Sequence, residues 1–95
     1  MKNPYTYNEI KGILKALGLK RTWIADKTYI TRQQVYNIGQ YDEDSSMRKR
    51  YMLLCTYILD DYMENELRWE PERIDNLLTA VRCMQEAKLK VRKAL

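Results

Sequence analysis

Apolar residues in this chain recur at steps of three and four almost from end to end, and only three glycines and two prolines interrupt them. That spacing lays one apolar stripe along a 3.6-residue helix, whereas a strand would need strict alternation. The fold class is therefore all-α. At 95 residues the chain can bury one modest core, in a single compact unit. A content of 45% hydrophobic residues is too high for disorder, and no apolar run approaches the ~18 residues that a membrane helix requires. The opening Met1-Lys2-Asn3-Pro4-Tyr5 leads into a polar amphipathic segment with no export signal, so a cytoplasmic, soluble protein with no membrane partner is expected.

Five helices follow from the local signals. Thr6 and Glu9 have capping-box spacing, Tyr5 can staple against Ile10, and a first helix is expected from Tyr7 to Leu17, with Ile10, Ile13, Leu14 and Leu17 inward. Gly18 can end it in the left-handed conformation, followed by Leu19. A short helix fits Arg21 to Thr28, buried at Ile24 and Ala25. Another, capped by Thr31 with Gln34 closing a second box, fits Arg32 to Ile38, buried at Val35 and Ile38 and stopped by Gly39. Only Tyr29 and Ile30 separate the two, so they must cross steeply.

After a loop holding Asp42, Glu43 and Asp44, a long fourth helix is expected from Ser46 to about Arg68. Its broad apolar face is Met47, Tyr51, Leu54, Cys55, Ile58, Leu59, Tyr62, Met63 and Leu67. Pro71 suits the first turn of a fifth helix that reaches the C-terminus, roughly 35 Å long at 1.5 Å per residue. Residues 1–69 and 70–95 thus form a helix-turn-helix region and a C-terminal packing helix within one unit.

Charge and cysteine usage narrow the chemistry. Residues 1–39 carry seven basic and two acidic side chains, residues 40–70 four and eight, and residues 71–95 six and three. The basic front third suggests a polyanion surface, while a basic C-terminal helix end is what the helix dipole favours in any case. Histidine is absent, and Cys55 and Cys83 stand far apart on apolar stripes, where both are expected to be free core thiols. No metal site, cofactor or catalytic group is expected, because nothing pairs a nucleophile with a base.

The segment Arg21 to Ile38, RTWIADKTYITRQQVYNI, is the most specific stretch. Counted from Arg21, Ile24, Ala25, Ile30, Val35 and Ile38 occupy its fourth, fifth, tenth, fifteenth and eighteenth positions, with the small Ala25 where two helices must cross closely. This pattern resembles the Cro and repressor-type helix-turn-helix family of phage and bacterial transcriptional regulators, over Tyr7 to about Leu59. Three positions depart from it: Tyr29 where the family usually has Gly, Lys20 where a small cap is usual, and Trp23 where a polar residue is usual. A bulky residue in a left-handed turn costs about 1–2 kcal/mol, so the turn is expected to be altered, and Trp23 to meet either a partner or a later helix.

The outward residues of the third helix, Thr31, Arg32, Gln33, Gln34, Tyr36 and Asn37, fit base contacts. Arg matches paired acceptors on guanine, Gln and Asn the donor-acceptor pair on adenine, and Tyr a thymine methyl or a phosphate. The resemblance implies phosphate contacts from Lys20, Arg21, Thr22 and Lys27, and from Ser45, Ser46, Arg48, Lys49 and Arg50. Asp42, Glu43 and Asp44 must then point away from the DNA. One such module touches few base pairs, so a homodimer on two half-sites is expected. The seam Ile74, Leu77, Val81, Met84, Val91 and Leu95 is its candidate interface. The expected function is a duplex-DNA-binding transcriptional regulator, a phage or mobile-element repressor that occupies an operator and answers to its own concentration or to a regulatory protein. The alternative is a helical adaptor or inhibitor that binds a host protein through Trp23, Tyr29, Tyr36 and Tyr41.

Overall fold

The opening capping box forms as its spacing implies: Glu9 N–H donates to Thr6 Oγ1 at 3.1 Å, and Thr6 N–H donates to Glu9 Oε1 at 2.9 Å. It starts α1, Tyr7–Ala16, in a computed structural model that describes residues 3–41 and 44–94, with Arg32 and Ala94 described by backbone alone. Leu17 is the C-cap rather than the last helical residue, and Gly18 turns left-handed at φ 71°, letting Leu19 N–H reach Leu14 O at 2.8 Å.

Next come α2, Arg21–Thr28, and α3, Arg32–Ile38, each with the bounds expected from sequence. The fourth helix, α4, spans Ser46–Asp61 and passes into a π-helical turn, Tyr62–Glu66, before the chain reverses through Arg68. Arg68 holds φ 53°, and Trp69 N–H closes the end on Met63 O at 2.9 Å. The last helix, α5, runs Pro71–Ala94. The described residues are thus all-helical, with no strand among them.

Ile10, Ile13 and Leu14 of α1 meet Ile24 and Ala25 of α2, Val35 and Ile38 of α3, Tyr51, Cys55 and Leu59 of α4, and Ile74, Leu78 and Val81 of α5 in one core. Both α2 and α3 lie on α4, while α5 packs on α1. Gly12 makes that last approach possible: a Cβ there would stand 2.6 Å from Val81 Cγ1. A glycine inside a helix costs about 1 kcal/mol relative to alanine, so its presence signals a packing reason. Arg82 of α5 pairs with Glu9, joining the capping box to the last helix. Burial of the Glu9 carboxylate would raise its pKa, but the Thr6 amide and the Arg82 guanidinium outweigh it and hold the group below its ordinary value.

Three expectations change. The face expected on the fourth helix is too broad: Met47, Leu54 and Leu67 are exposed, as are Leu53 and Tyr57. The buried line Tyr51, Cys55, Leu59, Met63 advances four residues at a time, about 40° per step beyond whole turns, so it drifts around the helix and leaves Met47 and Leu54 behind. Cys55 is a buried free thiol, but Cys83 is exposed, because it lies across α5 from the Ile74, Leu78, Val81 face that meets α1. The seam expected to join two protomers is partly consumed within one: Ile74 and Val81 are core residues, Leu77 is half-buried, and Leu95 lies outside the described residues.

Candidate nucleic-acid interface

Thr28 Oγ1 donates back to Ile24 O at 2.8 Å, and Tyr29 ends α2 with φ 58°, ψ 30°. The left-handed turn is therefore retained, not altered, with Ile30 N–H closing on Ala25 O at 3.1 Å. The Tyr29 ring is 97% exposed and contributes no packing that would offset the strain of a Cβ in this conformation. Tyr29→Gly is expected to stabilise the fold by about 1 kcal/mol, raising the melting temperature by roughly 5 °C. Thermal denaturation followed by circular dichroism tests this; an unchanged or lowered midpoint would show that the turn is not strained.

Thr31 then caps α3. Gln34 N–H donates to Thr31 Oγ1 at 3.1 Å, and Gln34 Oε1 accepts from Thr31 N–H at 3.0 Å and from the Thr31 hydroxyl at 3.2 Å. Both residues were expected to contact bases. Their cap engages the Thr31 hydroxyl and the Gln34 carbonyl, leaving the Gln34 amide nitrogen for a ligand. Gln33 and Tyr36 are exposed and Asn37 is half-buried, while the Arg32 side chain lies outside the described residues. Gln33 Nε2 donates to Asn37 Oδ1 at 3.1 Å across one turn. This amide pair keeps Gln33 Oε1 as an acceptor and Asn37 Nδ2 as a donor, the complement of the N6 and N7 edge of adenine.

At the start of α2, Lys20 occupies the N-cap without a side-chain cap bond; Lys20 and Arg21 are exposed and Thr22 is half-buried. The exposed Lys27 holds its ammonium 5.7 Å from the centre of the Trp23 ring. At the start of α4, Ser46, Lys49 and Arg50 are exposed and Ser45 is half-buried. Arg48, expected at a phosphate, is engaged within the chain. Its Nη1 donates to Tyr41 O at 2.8 Å, and its guanidinium stacks 5.2 Å from the Tyr7 ring centre, so it ties the loop to the body. Asp44 is exposed, while Asp42 and Glu43 lie outside the described residues.

Tyr7 is a residue that sequence reasoning missed. Its ring lies against Gly39, where a Cβ would stand 2.5 Å from the Tyr7 hydroxyl, and 6.4 Å from Tyr51. Gly39 has φ −63°, so it is there for this close approach and not for handedness. Nothing in the local pattern separated the two uses of a glycine after a helix. Trp23 packs edge-on against Tyr62 at 5.1 Å, which makes it a contact for the later helix and removes it from the exposed aromatic set. Tyr29, Tyr36 and Tyr41 remain exposed.

Among the described residues no group of histidine, cysteine or carboxylate side chains is arranged to hold a metal, and no helix is long and apolar enough to cross a membrane. No protein-family model, curated protein or solved structure matches the chain.

Proposed function

We propose that the chain is a sequence-specific duplex-DNA-binding regulator of the Cro and repressor type, a phage or mobile-element repressor acting in the cytoplasm. One observation carries the reading. The outward edge of α3 lies in solvent, while the long C-terminal helix packs on α1. That edge is rich in amide and hydroxyl groups and has no acidic residue from Lys27 to Tyr41, whereas an ordinary solvated helix face would carry Glu and Lys. Arg32, Gln33 and Asn37 would read bases, with Tyr36 at their side; Lys20, Arg21, Thr22, Lys27, Ser45, Ser46, Lys49 and Arg50 would hold the phosphates. Two protomers would occupy two half-sites, and of the seam on α5 the exposed Met84 and Val91 remain free to join them.

Sequencing the duplexes retained by the protein from a random pool tests this. An enriched palindrome is expected, with affinity falling steeply as salt rises, and Arg32→Ala or Gln33→Ala weakening binding roughly 5- to 150-fold. A pool returned without enrichment would overturn the reading. The complete exposure of the Tyr29 ring favours a second one, an adaptor that binds a host protein through Tyr29, Tyr36 and Tyr41. Its binding would tolerate salt and be lost on Tyr29→Ala.

A further inference from the structure

Apolar side chains that the core does not use gather on the outer face of α4. Tyr57 is 62% exposed, and Leu53 and Leu54 are 40% exposed each. At about 100° per residue these three fall with the exposed Arg50 and Asp61 in one arc of about 100°, opposite the buried line Tyr51, Cys55, Leu59. They stand at steps of three and four, which is the stripe by which one helix packs on another. The stripe is charged only at its ends. Arg50 closes it on the N-terminal side and Asp61 on the C-terminal side, about 16.5 Å apart along the axis and within about 20° of each other around it. Asn65 Nδ2 donates to Asp61 Oδ1 at 2.5 Å, which leaves Asp61 Oδ2 as an acceptor. Arg50 has no carboxylate partner among the described residues.

We propose that this face is a two-fold interface for a second copy of the chain, with the two α4 helices antiparallel. A two-fold axis at the level midway between Leu54 and Tyr57 is also midway between Arg50 and Asp61. Each Arg50 then stands level with Asp61 of the second copy, Leu54 meets Leu54, and Tyr57 lies over Leu53. Two ion pairs thus bracket an apolar centre, and the one surface is its own complement. A parallel pair would set Arg50 against Arg50 and Asp61 against Asp61, like charge on like. A nucleic acid would be repelled by Asp61 and leave the apolar centre uncovered. Arg50 is also a candidate phosphate contact. Its guanidinium carries five N–H donors in a planar fork, so one edge serves Asp61 and the other remains for a phosphate oxygen. The α4 face shares no residue with Met84 and Val91 on α5 and does not depend on what α3 reads. A chain that pairs through both helices assembles beyond a dimer.

Met84→Glu with Val91→Glu silences the α5 seam and leaves the α4 face to act alone. Sedimentation equilibrium of that variant without DNA, from about 5 to 500 μM, should show monomers passing to dimers with a Kd on the order of 10–100 μM, as suits so small a patch. In the same background Leu54→Glu should weaken pairing at least about tenfold. Arg50→Asp and Asp61→Arg should each weaken it roughly fivefold or more, and the two together should restore it to within about twofold. The exchanged charges are too far apart on one helix to meet, so they regain partners only across two copies. All these side chains are exposed, and the far-ultraviolet circular dichroism of each variant should stay that of the parent. A chain that remains monomeric at about 500 μM overturns the proposal and leaves the face to a different protein. So does pairing that Leu54→Glu leaves intact, or a combined charge exchange that restores nothing. No DNA is present, so failure here and failure of the duplex selection are separate results.

Discussion

Between pH 9 and pH 12 the protein is expected to lose at least about 4 kcal/mol of its stability, and to unfold in alkali more readily than in mild acid. The cause is three buried acids that the fold keeps protonated. Burial pushes the Cys55 thiol from an ordinary 9.0 up to about 12, against a smaller opposing pull from its hydrogen bond with Tyr51. Tyr5 and Tyr51 are driven above their ordinary 10.0, first by burial, then by the Asp60 carboxylate beside Tyr5 and by Cys55 beside Tyr51. Each folded-state value lies above the unfolded one, so the stabilisation is fully present below pH 9. It drains away as the unfolded chain releases protons that the folded chain retains.

Three units at Cys55 alone correspond to roughly 4 kcal/mol, set against about 5–14 kcal/mol for a domain of this length. Urea unfolding followed by circular dichroism at pH 8, 10 and 11 measures the slope. Cys55→Ala should start lower at pH 8 and fall less steeply; equal stability of the parent protein at pH 8 and pH 11 would sink the account.

These buried acids also show where sequence reading stopped. The capping boxes at Thr6 and Thr31 were legible because each needs only residues three apart, and the bounds of α3 followed because Thr31 and Gly39 punctuate a short segment. The buried positions of the α2 and α3 pair were legible for the same reason, since every one of them is set by an offset within eighteen residues. Contacts between distant segments left no such trace. Arg48 reads as one cation in a basic triplet, yet Tyr41 O and the Tyr7 ring claim it from other elements. Ile74 and Val81 read as a seam for a second protomer, yet Gly12, whose missing side chain admits Val81, lies nearly seventy residues before it. The π-helical turn at Tyr62–Glu66 has no sequence signature comparable to a cap, so the fourth helix was drawn straight through it.

Replacing Tyr5 by alanine is expected to be among the most damaging single changes at the N-terminus, at about 3–5 kcal/mol. The residue precedes the α1 cap, in the place from which a side chain staples back onto the first turn, and it is 2% exposed in the same core as Ile10. Its hydroxyl donates to the Asp60 carboxylate at the far end of α4, and its N–H donates to Thr56 Oγ1 at 2.8 Å. One residue therefore fastens the start of α1 along α4 by its ring, its hydroxyl and its backbone. Alanine keeps only the backbone bond and leaves a cavity the size of an aromatic ring.

Phenylalanine separates the terms. Tyr5→Phe keeps the ring and loses one hydrogen bond to a half-buried carboxylate, so a loss of about 1–2 kcal/mol is expected at pH 7. The same variant no longer carries the Tyr5 phenol, so its stability should decline less between pH 10 and pH 12 than that of the parent. Chemical denaturation of the two variants at pH 7 and pH 11 gives all four numbers. If Tyr5→Ala cost no more than Tyr5→Phe, the ring would not be part of the core. If Tyr5→Phe left the alkaline slope unchanged, the phenol would not be among the groups that make the fold sensitive to base.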